Sequence, residues 1–167
     1  TSRQIEDVKG LVLEDLIHHE LAHWELPFGS GLGCPYDVYH HDTILEAVRK
    51  ALPKEKRKSA GYAANAFEDL MINPRCSEYL RQEYGRGFAG MVLFWYNEGT
   101  KLRILKGNGY TPFYEAFVKL NLHLFGEKED GELLAGYFTN SGKVDDAVIS
   151  VIKELKLPAN IKDTSVL

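Results

Sequence analysis

The stretch LVLEDLIHHELAHWEL, residues 11–26, contains neither glycine nor proline, and with Val8 before it places Leu11, Val12, Leu16 and Leu21 at helical spacing. PFGSGLGCP at 27–35 then breaks the pattern. The reading is one long helix. Working outward, the same periodicity predicts a second helix over 38–52, closed by Pro53. A third runs from about Ser59 to Asn73, where Pro74 pushes the residue before it out of helical geometry. Further helices fall near 76–84, 88–106, 112–125 and 142–155, while GNGYTP and FGEKEDGE between them read as turns. No alternating strand of useful length occurs, so the expected fold class is mainly α, with little or no β-sheet.

A chain of 167 residues, 44% apolar and 26% charged, is long enough for one compact domain with a real core. We expect a single domain over 1–167, with segment 11–74 carrying the chemistry described below and a helical part over 75–167. The chain starts with Thr rather than Met, which suits a piece of a longer protein. Net charge is −4 and the longest basic block is KEKRK at 54–58, which argues against a nucleic-acid surface or a polybasic membrane anchor. The most apolar run, FAGMVLFWYN at 88–97, is far short of the roughly 20 residues that a membrane span needs. It reads as a core helix. Cys34 and Cys76 form no CxxC pair and read as reduced thiols of a cytoplasmic protein. Phe113, Tyr114, Phe117 and Phe125 fall at helical intervals and are expected in the core.

Within the opening stretch, His19, Glu20, Leu21, Ala22 and His23 spell H-E-x-x-H. On a helix, positions four apart share a face, so both imidazoles can bind one metal ion. Zinc suits this pair, because neutral imidazole binds it at about 2.0–2.1 Å. Glu20 projects to the flank, where a carboxylate can take a proton from a water that the metal activates. Two ligands and a base are thus present in five residues. A two-histidine, one-carboxylate set also suits iron, cobalt or nickel, and zinc is preferred because Glu20 stands where a water-activating base is needed.

The third ligand is expected on the third helix. AGYAANAFEDLMINP, residues 60–74, is mostly small and apolar and so reads as buried, yet Asn65, Asp69 and Asn73 recur every four residues along it. Burying such a line without partners would cost several kcal/mol. A metal and the groups that orient its ligands would offset that cost. Asp69, central in the line, is taken as the third ligand in preference to its neighbour Glu68, with Asn65 and Asn73 orienting it or bonding nearby backbone. Asp15, one turn before His19, is a candidate acceptor for the imidazole nitrogen that faces away from the metal. His18 points to another face and reads as a packing or surface residue. His40, His41, Tyr39 and Tyr36 are candidates to stabilise a developing oxyanion. Cys34, in the glycine-rich loop, could approach the metal as a blocking thiolate.

HHELAHW followed some 45 residues later by NAFEDLMIN resembles the zincin metallopeptidases, and more narrowly the metallopeptidase-like domains found beside von Willebrand factor A-type domains. The resemblance covers residues 11–74. It implies one zinc per chain held by His19, His23 and Asp69 or Glu68, with Glu20 as general base and a peptide or protein as substrate. The chain carries neither the E-x-x-x-D of gluzincins nor the third histidine of metzincins. Zincins also place a sheet before the HExxH helix, whose edge strand holds substrate by main-chain pairing. Only about ten residues precede that helix here, so a partner chain or an N-terminal segment is expected to supply the strand. The expected activity is zinc-dependent peptide hydrolysis. The alternative is a zinc-stabilised, non-catalytic interaction domain serving a partner ATPase or von Willebrand-type module.

Overall fold

The computed structural model describes residues 2–23 and 38–157, with side chains described over 8–23 and 42–157. Among the described residues seven α-helices follow in chain order: α1 Ser2–Ala22, α2 Val38–Ala51, α3 Ala60–Tyr84, α4 Ala89–Lys106, α5 Pro112–Phe125, α6 Lys128–Leu134 and α7 Lys143–Glu154. Short 3-10 turns cover Lys54–Ser59 and Ala135–Tyr137, and no strand occurs among the described residues. The chain is mainly α. Local chemistry explains several of the boundaries. Gly85 and Gly107 end α3 and α4 at φ of 66° and 71°, a region that glycine enters without penalty. The Thr111 side chain caps α5 by accepting a hydrogen bond from the Tyr114 N–H, and Pro112 takes the first helical turn, where a missing N–H costs nothing.

Apart from α1, which begins at Ser2 where a start near Leu11 was expected and ends at Ala22, two boundaries differ from those expected. Pro74 does not end the third helix; α3 continues through it to Tyr84 and absorbs the separate helix expected near 76–84. A proline inside a helix costs about 3 kcal/mol. The turns beyond it bury Cys76, Ser77 and Leu80, and that burial outweighs the lost hydrogen bond. The second difference is α6, which begins inside FGEKEDGE. Asp130 accepts a hydrogen bond from the Glu127 N–H, so the acidic cluster serves as a helix start where a turn was expected.

Helix α3 is the hub: it packs against α1, α2 and α5, while α4 covers another face of α1 and α7 lies on α5. The shared apolar core includes Ala22 of α1, Leu70, Met71, Ile72 and Leu80 of α3, Trp95 of α4, Val118 of α5 and Val148 of α7. As expected, the apolar run at 88–97 is a core helix, with Met91, Val92 and Trp95 buried. No described helix is long and apolar enough to cross a membrane. Phe125 is in the core and Tyr114 and Phe117 pack against it, but Phe113 is 45% exposed.

Helices α1 and α4 meet at a glycine. A Cβ on Gly90 would lie 2.3 Å from the Leu11 carbonyl oxygen and 2.7 Å from Asp15 Oδ2, so only glycine lets the backbones approach this closely. The contact is reinforced by polar groups: Asp15 accepts hydrogen bonds from Arg86 at 2.7 Å and from the Met91 N–H at 3.1 Å. Helices α1 and α3 run antiparallel, with His19 opposite Asn73 and His23 opposite Asp69. That arrangement brings the H-E-x-x-H segment against the polar line of α3.

Candidate metal centre

His19 and His23 are one helical turn apart on α1, and their Nε2 atoms lie 3.3 Å from each other. Asp69 of α3 brings its Oδ1 to 3.4 Å from both. The three atoms form a nearly equilateral triangle. Tetrahedral zinc with bonds of about 2.0–2.1 Å requires its ligand atoms to be about 3.3–3.4 Å apart. Octahedral magnesium at similar bond lengths would need them nearer 2.9 Å. Among the described residues these are the His, Cys, Asp and Glu side chains that converge closely enough to hold a metal.

The hydrogen bonds around the triangle determine what its atoms present. The Phe117 backbone carbonyl can only accept, so the group of Asn121 that meets it at 2.9 Å is the amide NH₂. Asn121 Oδ1 therefore accepts from Asn73 Nδ2 at 2.9 Å, and Asn73 Oδ1 accepts from His19 Nδ1 at 2.8 Å. Each link sets the orientation of the next. The chain of bonds protonates His19 at Nδ1 and turns the lone pair of Nε2 toward His23 and Asp69. Asn73 and Asn121 are both buried, so the relay is shielded from competing water.

Asp69 is arranged in a matching way. Its Oδ2 accepts a hydrogen bond from Asn65 at 3.2 Å, one turn earlier on α3. Its Oδ1 is buried and accepts no hydrogen bond, and the ring nitrogens of His19 and His23 face it at 3.4 Å. A buried carboxylate oxygen facing two imidazole nitrogens is favourable when a proton or a metal cation lies among them. Titration behaviour follows the same logic. Burial pushes the Asp69 carboxyl up, but His19 and His23 together hold it below the ordinary carboxylate range. Burial pushes His19 down, while Asp69, Asn73 and Glu20 more than reverse this and leave it above the usual imidazole value. The site thus attracts positive charge, and a zinc ion fits its donor set.

Glu68 and Asp69 are brought to different positions. Glu68 is buried with a carboxylate oxygen 4.0 Å from His23 Nδ1, the nitrogen facing away from the triangle. It therefore sits where it can steer the ring of His23, while Asp69 supplies the converging oxygen. Glu20 follows His19 on α1, is exposed, and its charge acts on the His19 ring. Asp15 does not take the role expected of it. Asn73 occupies the outward nitrogen of His19, and Asp15 belongs to the α1–α4 contact through Arg86 and the Met91 N–H. Burial pushes the Asp15 carboxyl up, and Arg86 with the backbone donors recovers only part of that cost. Asn65, which is exposed and not buried as expected, bonds to Asp69, Asn73 bonds to His19, and His18 packs its ring near Tyr79 at a centroid distance of 5.6 Å.

Asn121 is the site residue that sequence reasoning missed. It lies in an apolar stretch, FVKLNLHLF, where a lone buried asparagine was the available signal. Cys34 and Tyr36 lie outside the described residues, and Tyr39, His40 and His41 lie outside those with described side chains. Comparison of the chain with protein family models, with curated proteins and with solved structures gives no match.

Proposed function

We propose that this chain is a zinc-dependent hydrolase acting on peptide bonds, with His19, His23 and Asp69 as ligands and Glu20 as general base. The observation that carries the reading is the 3.3–3.4 Å triangle of donor atoms closed by the unpartnered Asp69 Oδ1. A zinc ion bound there supplies Lewis acidity, polarising a carbonyl oxygen and lowering the pKa of a water. The chain's own groups do the rest. Glu20 takes the proton from the attacking water and delivers it to the leaving amine. Asn73 and Asn121 hold His19 in one tautomer and one orientation, so no reorganisation of that ligand is needed during reaction.

The test is metal content by mass spectrometry for the wild type, Asp69→Ala and Glu68→Ala, followed by peptide cleavage with Glu20→Gln. About one zinc per chain is expected, lost in Asp69→Ala and retained in Glu68→Ala. Glu20→Gln should keep the metal and lose cleavage. No zinc in the wild type, even after incubation with the ion, would overturn the reading.

One observation favours a second reading, a zinc-stabilised interaction domain serving a partner ATPase or von Willebrand-type module. Among the described residues there is no strand whose free edge could pair with an extended substrate. Under that reading zinc binds and raises the unfolding temperature, but no peptide is cleaved by this chain alone or with a strand-donating partner.

A further inference from the structure

Tyr62 of α3 and Phe113 of α5 place their rings 4.9 Å apart, centroid to centroid, and are 57% and 45% exposed. Two large rings from different helices leave roughly half their surface in water. Their position gives this cost a purpose. Tyr62 precedes Asp69 by seven residues, two turns that return it to the same face of α3 at a distance of about 10 Å along the axis. Helices α3 and α5 run from the ring pair toward the site in the same sense, since Asn73 and Asn121 bond further along both. The charge of Asp69 also reaches this corner: burial first, then Asp69, raises the Tyr62 phenol.

We propose that Tyr62 and Phe113 form an aromatic shelf that receives a bulky apolar side chain of the substrate, two or three residues from the bond that is cut. The proposal rests on the hydrolase reading and adds a specificity to it. An extended peptide advances about 3.3 Å per residue, so two or three residues span the distance between the metal ligands and the shelf. The ring pair is set on two rigid helices that also carry Asp69 and its orienting asparagines, so shelf and site keep a fixed separation. A phenylalanine laid on the shelf would cover the ring faces that now meet water, and edge-to-face or offset contacts suit such a cluster.

The probe is a peptide hydroxamate, whose zinc-binding head anchors at the site without being turned over. Tetra-alanine hydroxamate is compared, by titration calorimetry on the zinc-loaded chain, with counterparts carrying phenylalanine two or three residues from the head. The phenylalanine compounds should bind the wild type about tenfold more tightly, the difference expected from covering one face of a large apolar side chain. Tyr62→Phe should keep that preference, and the double variant Tyr62→Ala/Phe113→Ala should lose it while retaining its zinc. Equal affinities in the wild type, a preference that persists in the double variant, or no hydroxamate binding at all would each overturn the shelf. Peptide cleavage is scored separately. A phenylalanine preference without any cleavage would remove the hydrolase reading and leave the shelf as a binding surface.

Discussion

At the scale of single residues, Asn73 carries two tasks through one amide: its oxygen fixes the tautomer of His19 and its nitrogen satisfies Asn121. Removing it leaves the outward nitrogen of a proposed metal ligand unheld and a buried carbonyl oxygen on α5 without its donor. Asn73→Ala should therefore weaken zinc binding about 10- to 100-fold, measured by competition with a chromophoric chelator. It should also cost about 1–3 kcal/mol in urea unfolding of the metal-free protein. Unchanged zinc affinity would show that the relay does not orient His19. His19, His23, Asp69, Asn65 and Asn73 could be read from the sequence because each pattern repeats along one helix. Asn121 could not be found this way, because its role depends on α5 lying beside α3, a pairing across 48 residues that no local period records. The preference for Asp69 over Glu68 had the same limit, since both sit on a plausible face until the position of α1 is known.

At the scale of elements, the proposed metal centre depends on where α1 is held, and α4 holds it. Gly90→Ala would place a Cβ 2.3 Å from the Leu11 carbonyl oxygen, which is backbone and cannot turn aside. One of the two helices must move. The expected result is a loss of about 1–3 kcal/mol together with weaker zinc binding, because the helix displaced is the one that carries both histidines. Arg86→Met removes the side chain that pairs with the fully buried Asp15 and leaves that carboxylate with its backbone donors alone. It should destabilise the fold by about 2–4 kcal/mol in thermal or urea unfolding, while Arg86→Met combined with Asp15→Leu should recover much of the loss. A single variant as stable as the wild type would refute the coupling. The helices with clean apolar periods, such as α4, α5 and α7, were legible almost to the residue. Those decided by competition were not: the rule for proline was sound locally at Pro74, but the apolar burial that overrode it lies in the next two turns of α3.

At the scale of the whole molecule, the triangle adds a polar link to the packing of α1 on α3, so under the proposed function metal and proton compete to stabilise the same contact. The sign for each state can be worked out. His19 is raised above its ordinary 6.5 in the folded protein, so the protonated His19 and Asp69 pair stabilises the metal-free fold fully below about that pH. This contribution is lost as pH rises through the folded value. Zinc requires the neutral imidazoles, so its contribution grows over the same interval. At a free zinc concentration one hundred times the dissociation constant, the ion should add about 2.7 kcal/mol. For a chain of this size that corresponds to a rise of roughly 5–10 °C in Tm. Thermal unfolding of chelator-stripped and zinc-loaded protein from pH 5 to pH 8 should therefore show the two curves close together in acid and widely separated at pH 8. In Asp69→Asn, which keeps the shape of the side chain but removes its charge, both the acid stabilisation of the stripped protein and the zinc increment should shrink together. Separate responses of the two would mean that proton and metal act at different places in the molecule.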